Sequence, residues 1–220
     1  MNGDEDPIGG CVILGGGGHA KVVLEALKLK YLRLKCVVVD QDYSLHGKKI
    51  LDVSIVGGDG DLPGWLSKGY SHFAVGVGGI GDNTLRRRLF DLAISCGLGP
   101  VLVAHPSALV SNWAEIADGA QLMSGCIVNA GASVGGNSII NSGAIIEHDC
   151  VIGDHVHVAT GARLAGNIWV GTGAHIGIGA VLKQDVRVGE GAIVGAGAAV
   201  VEDVPRHVTV VGVPARPIKK

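Results

Sequence analysis

The chain has 220 residues, with 18 Lys and Arg against 20 Asp and Glu and a net charge of −2, which leaves no basic footprint for a nucleic-acid partner. Its 47% of hydrophobic residues never gather into the run of ~18 that spans a bilayer, so no membrane partner is expected. Met1–Asp6 is acidic and unlike a secretion signal, and the five cysteines lack paired spacing and read as buried free thiols; both point to the cytoplasm.

Elements alternate over the first hundred residues. After a tail over 1–7 that is expected to be disordered, Cys11–Leu14 reads as a buried strand and Ala20–Leu29 as a helix. Lys35–Asp40 and Phe73–Val77 read as further strands, Asn83–Cys96 as a helix capped near Asp82 or Asn83, and Val101–Ala104 as a fourth strand. This alternation predicts a small parallel, Rossmann-like α/β sheet over 8–104. Between the first strand and helix, Gly15-Gly16-Gly17-Gly18-His19-Ala20 matches G-x-G-x-x-G/A, and Asp40 ends the next strand. Small residues let backbone N–H groups close on a diphosphate, and the helix N-terminus adds partial positive charge. Asp40 is placed for a ribose or a base. A Val at Gly17 is therefore expected to block the phosphates and to strain any left-handed backbone there. A plain structural turn and an NAD site are the rival readings. The chain has no room for the second half of a dinucleotide fold, so one nucleotide with something attached fits better.

The period changes at His105-Pro106-Ser107. Every sixth residue from Val110 to Val200 is Val, Ile or Leu, and the residue four after each, from Ala114 to Val204, is small or aliphatic. Neither a helical nor a heptad period fits, and a fixed short period means stacked coils. Each hexad is a short strand and a turn, and three hexads close a triangular coil. Successive coils then lie ~4.8 Å apart. The large aliphatic fills the interior and the small residue fits the corner. Glycines at the turns (Gly119, Gly131, Gly143, Gly161, Gly173, Gly191) adopt φ > 0 without steric cost. Trp113 and Trp169 fall outside both inward columns. This all-β solenoid is expected over 105–205, with a tail over 206–220.

Polar side chains concentrate at Asn141, Glu147, His148, Asp149, Asp154, His155 and His157. His148 sits at a turn between two carboxylates, and one coil along Gly166 lies over it. His157 has His175 in its own column. A histidine facing a glycine across ~5 Å offers a base and a backbone N–H, the minimum equipment for acyl transfer. His155, His175 and His207 read equally as solvated turn residues. His148, His155, His157 and His175 are also candidate zinc ligands drawn from different coils or chains, and no spacing decides the matter.

The hexads, the runs Ile146-Glu147-His148-Asp149-Cys150-Val151-Ile152-Gly153 and Ala165-Gly166-Asn167, and the ending Val211-Gly212-Val213-Pro214-Ala215-Arg216 resemble left-handed β-helix acetyltransferases. With Gly15–Ala20 in front, the chain over about 10–218 resembles the bacterial nucleotide-amino-sugar N-acetyltransferases of the UDP-N-acetylbacillosamine and GDP-perosamine type. Sialic acid O-acetyltransferases are close relatives of these. The resemblance implies a left-handed parallel β-helix, against the right-handed rule for ordinary crossovers. It also implies a homotrimer with acetyl-CoA between adjacent solenoids and no metal.

His148 is then the general base, supported by Asp149 or Glu147, and Gly166 donates to the acetyl carbonyl. The resemblance brings His157 to the thioester and lays Ala180, Gly195, Pro214 and Arg216 along CoA. It assigns Gly16, Gly17, Gly18, His19, Asp40, Gln41 and Asn141 to the nucleotide sugar. The implied reaction moves the acetyl group of acetyl-CoA to the 4-amino group of a nucleotide-linked 4-amino-4,6-dideoxysugar. O-acetylation of sialic acid is the alternative, and a silent nucleotide-sugar scaffold or a metal-dependent hydratase is more remote. UDP, GDP and dTDP all suit a glycine loop plus an acid.

Overall fold

The computed structural model describes residues 9–218, so the expected tail at 1–7 lies outside the described residues. The chain divides into two compact units, one of residues up to Gly78 with Leu85–Pro106, the other of Gly79–Thr84 with the chain from Ser107.

In the first unit, β1 (Gly10–Leu14) is buried at all five residues, as an unalternating strand covered on both faces should be. α1 (Gly18–Lys30) buries Ala20, Val23, Leu24, Ala26 and Leu27, the stripe of an amphipathic helix. It starts two residues earlier than the sequence suggests because Gly17 takes the N-cap. β2 (Cys36–Val39) follows, then the short hairpin β3 (Lys49–Ile50) and β4 (Val53–Ser54), and α2 (Leu62–Ser67). These last three are too short to show a period, and sequence reading misses them. β5 (Tyr70–Val75) begins three residues before the expected strand, and α3 (Thr84–Ser95) matches its expectation closely, with Asp82 Oδ1 accepting from the Thr84 N–H at 2.8 Å. The fourth strand is β6 (Gly99–Pro100), not Val101–Ala104; Val103–Ala104 forms a separate strand. Proline lacks the N–H that a central strand would need, and β6 sits at the sheet edge.

The parallel order is β2-β1-β5-β6. The chain leaves β1 on one side for β2 and returns on the other for β5. The C-terminal ends of β1 and β5 thus flank a topological switch point, where open α/β sheets bind ligands. Beneath it, Val12, Leu14, Trp65, Phe73, Val75, Leu89 and Leu98 form the core.

In the second unit the eighteen-residue return is seen directly in the register, Ile127 opposite Ile145, then Arg163, Val181 and Ala199. The inward aliphatics Ile140, Ile146, Val158 and Ile176 are fully buried, as are the corner residues Ala144, Cys150, Ala162 and Ala174. Each large aliphatic so placed contributes on the order of 1.5–3 kcal/mol. Val110, in the first coil, keeps 36% exposure because no coil lies beneath it. Trp113 and Trp169 stay at the surface, 81% and 41% exposed.

The turn glycines are left-handed as expected, Gly143 at φ 67° for example, but Asn137, Asp149, His155, Asn167 and Asp185 share that conformation at equivalent turns. Asn and Asp tolerate it best among residues with a Cβ. Glycines beside the inward aliphatic have another cause. A Cβ on Gly177 would lie 2.6 Å from the Ala196 nitrogen of the next coil. Strand pairing continues beyond 205, with Thr209–Val211 parallel to Ile193–Val194 and folded back onto Arg216–Pro217. Among the described residues no helix is long and apolar enough to cross a membrane. Cys11, Cys126 and Cys150 are buried free thiols, whereas Cys36 and Cys96 are only half-buried; burial raises the Cys126 pKa to about 12.

Candidate active site

His148 and Gly166 occupy the same corner of successive coils. The His148 Nδ1 lies 2.8 Å from Asp149 Oδ2. A carboxylate only accepts, so Nδ1 carries the proton and the Nε2 lone pair is left for chemistry. The left-handed backbone of Asp149, φ 61°, puts this carboxylate beside the ring preceding it in sequence. Glu147 is engaged elsewhere, accepting from Asn129 Nδ2 at 3.0 Å; of the two carboxylates the sequence offered, Asp149 is the one that holds the imidazole. The Asp149 hydrogen bond, with the charges of Asp149 and Glu147, raises the His148 pKa against a smaller desolvation effect.

A Cβ on Gly166 would fall 2.5 Å from His148 Cε1 and 2.6 Å from Nε2. Glycine is needed here for the space that the ring fills. Among the described residues nothing accepts from the Gly166 N–H, which leaves a donor beside the His148 imidazole. His207 also packs on a glycine of the neighbouring coil, Gly191, but its neighbour is Arg206 and, among the described residues, no carboxylate orients it.

The expectation of a solvated His175 is overturned. His157 and His175 are both buried, their rings 5.1 Å apart and nearly perpendicular. Burial lowers the His175 pKa, the Gly79 carbonyl opposing. His157 donates from Nδ1 to the Gly79 carbonyl and accepts at Nε2 from Asn141 Nδ2 at 3.1 Å. The amide of Asn83 donates to the carbonyls of Gly173 and Ala174 at 3.2 and 3.4 Å, fastening Gly79–Thr84 over the histidine pair. Both His157 nitrogens are thus committed. Asn141, assigned from sequence to the nucleotide sugar, is a partner of His157. His155 holds a left-handed turn, its Nδ1 2.9 Å from Asn137 Nδ2.

Of the residues expected along CoA, Ala180 turns its methyl inward and uses its main chain within the solenoid, donating to Gly177 and accepting from Arg163. Ile178 and Gly179 are what that corner exposes. The Gly195 N–H donates to the Val210 carbonyl at 2.8 Å. Pro214 and Arg216 lie exposed on the terminal hairpin, where Arg216 Nη1 is 3.5 Å from Glu202 Oε1.

In the first unit a cleft of about 80 Å³ opens at the switch point, lined by Gly15, Asp40, Gln41, Asp59, Val77 and Arg88 among others. Asp40 Oδ2 accepts from the Gly16 N–H at 2.6 Å and Oδ1 from the Asp42 N–H at 2.8 Å. The acid therefore ties the glycine loop to the end of β2 and keeps one lone pair on each oxygen. The left-handed glycine is Gly15, φ 101°; Gly17 is extended at φ −85°, which removes the expected backbone strain for a substitution there. Gly17 and Gly18 have open space where a Cβ would go, and His19 lies half-buried in the first turn of α1 against Gly78. Buried Arg86 donates from Nη1 to the Val75 and Val77 carbonyls at 3.1 and 2.7 Å, fixing α3 at the end of β5; burial lowers its pKa to about 9.

The PglD N-terminal domain model matches residues 11–93, and the bacterial transferase hexapeptide model, six repeats, matches 131–166. A search of curated protein sequences gives no match. Among solved structures, perosamine N-acetyltransferase from Caulobacter crescentus, a histidine-to-asparagine mutant in complex with CoA and GDP-perosamine, is 40% identical. It covers 97% of this chain and 98% of its own, with TM-score 0.90. The chain belongs to the hexapeptide-repeat amino-sugar N-acetyltransferases. The acetyltransferase domain of PglB from Neisseria gonorrhoeae FA1090, in complex with acetyl coenzyme A, is 33% identical over 94% of this chain and 98% of its own, TM-score 0.87. WeeI from Acinetobacter baumannii AYE is 30% identical over 95% and 99%, TM-score 0.80.

The solenoid of this N-acetyltransferase is accordingly a left-handed β-helix. Sequence reading missed Asn129 and Gly79 and took Asn83 only for a helix cap; their partners are a coil or some eighty to ninety residues away. It also missed Asp59, Arg86 and Arg88. The triplet Arg86-Arg87-Arg88 near the start of a helix was the available signal, since one face of that helix must turn a guanidinium inward.

Proposed function

We propose that this N-acetyltransferase moves the acetyl group of acetyl-CoA to the 4-amino group of a nucleotide-linked 4-amino-4,6-dideoxysugar. The observation that carries this reading is His148, oriented by Asp149, beside the unclaimed Gly166 N–H. The CoA and GDP-perosamine held by the Caulobacter relative, and the acetyl coenzyme A held by the Neisseria one, support the pair of substrates. His148 Nε2 takes a proton from the amine as its nitrogen attacks the thioester carbonyl carbon. The C–S bond then breaks and the CoA sulfur leaves with the electron pair. The Gly166 N–H steadies the developing oxyanion. His157, buried and saturated, orients its surroundings. Gly16, Gly17, Gly18, His19 and Asp40 form the nucleotide end, and buried free thiols suit a cytoplasmic enzyme. Acetyl transfer to a nucleotide amino sugar, with little to the free sugar and none to sialic acid, is the expected assay result. Preference for sialic acid would overturn the reading.

The base works unprotonated, so turnover rises with pH through the His148 pKa, which the Asp149 hydrogen bond raises from its ordinary value. Asp149→Asn removes that support, and the acid limb of kcat should move to lower pH. A limb that stays in place assigns the titration to another group.

A Cβ at Gly17 would meet no neighbour within 4 Å and the backbone there is extended, so the fold should tolerate Gly17→Val. A strong rise in KM for the nucleotide sugar, with KM for acetyl-CoA little changed, is expected; equal rises would mean that the loop shapes the fold.

We propose a homotrimer with acetyl-CoA between solenoids, Gly195, Pro214 and Arg216 contributing. One outward column supports assembly, for five of its six positions are apolar, Leu109, Ile127, Ile145, Val181 and Ala199, with Leu109 65% exposed and Arg163 the charged member. Light scattering should give about three times 22.4 kDa. An active monomer would sink the shared-site model.

A further inference from the structure

Resting on the nucleotide-sugar reading above, we infer that Gln41, Asp59 and Arg88 read the base of the nucleotide and select guanine. Asp40 and Gln41 are adjacent in the chain, and the Asp40 carboxylate is bonded to the glycine loop through Gly16. A diphosphate at the loop and a ribose at Asp40 therefore bring the base to Gln41, Asp59 and Arg88, all of which line the same cleft. Gln41 Nε2 donates to Asp59 Oδ2. Because a carboxylate only accepts, this bond fixes the orientation of the amide and turns Gln41 Oε1 into an acceptor. Among the described residues nothing donates to Asp59 Oδ1 or to Gln41 Oε1. Arg88 Nη2 lies 3.7 Å from Asp59 Oδ2, with its other donors unclaimed. The cleft thus offers donors from Arg88 and two acceptors, Asp59 Oδ1 and Gln41 Oε1, beside the second N–H of the Gln41 amide.

Guanine carries the complement along one edge, with O6 as acceptor and the N1–H and the 2-amino group as donors. Uracil and thymine carry a single donor between two carbonyls, so one carbonyl would face a protein acceptor. Asp59 is held for this task, its side chain only 10% exposed. The apolar Val77 and Leu89 wall the cleft beside the polar edge, as a planar ring requires.

The test is titration calorimetry of the full chain with GDP, IDP, UDP, dTDP and XDP. GDP should bind ~10-fold or more tightly than IDP, which lacks only the 2-amino donor to a charged or amide acceptor. It should also bind more tightly than UDP and dTDP. Asp59→Asn keeps the shape but presents an amide donor. Its preference should swing from GDP toward XDP, whose 2-carbonyl accepts. Equal binding of GDP and IDP, tighter binding of UDP or dTDP, or an Asp59→Asn chain that keeps the wild-type ranking would overturn the base assignment while the nucleotide site stands. If no diphosphate binds at all, both the assignment and the nucleotide reading fall. Should Asp59→Asn not fold, the wild-type ranking decides alone.

Discussion

His148→Ala should lower kcat by ~10²–10⁴-fold, the usual worth of a general base, while acetyl-CoA binding and thermal stability stay close to wild type. The side chain is 64% exposed, and substitutions at such positions shift stability by about 0.5 kcal/mol or less. An amide cannot accept the proton, so His148→Asn should be as inactive as the alanine variant. The contrast is His157→Ala. That ring is buried with both nitrogens bonded, so its loss leaves the Asn141 amide and the Gly79 carbonyl unsatisfied and should cost stability first. Steady-state kinetics with thermal melts separates the two. If His148→Ala keeps more than about a tenth of wild-type kcat, the base lies elsewhere.

Gly166→Ala should cost nearly as much through a single methyl. The added Cβ would sit 2.5 Å from His148 Cε1, closer than carbon atoms tolerate, so the imidazole must swing away. Gly166 is not among the glycines with left-handed φ, and alanine meets no backbone strain there. The fold should therefore survive while the base loses its place. A displacement of about 1 Å at a reacting group can cost ~10²-fold, and that is the loss expected in kcat. Circular dichroism and light scattering should match wild type. A Gly166→Ala enzyme with full kcat would show that the imidazole does its work from another position.

The solenoid was legible because one six-residue grammar is repeated sixteen times, and each violation of it would bury a polar group or leave a cavity. The same regularity made His148 and Gly166 readable as partners, since adding eighteen residues is enough to place one coil over the next. The glycine loop and Asp40 were legible for a similar reason, as local punctuation between a strand and a helix. Their bond, Gly16 N–H to Asp40, was not.

Sequence by itself determined the repeat, the inward columns, the change of architecture near residue 105 and the residue types able to do acyl transfer. Periodicity is a property of the chain alone. Only the tertiary structure decided that Asp149, not Glu147, holds the His148 imidazole, that His175 is buried, and that Gly79–Thr84 closes over the histidine pair. Those outcomes depend on hydrogen bonds between residues far apart in sequence and on a left-handed turn at Asp149, for which the chain carries no period to read.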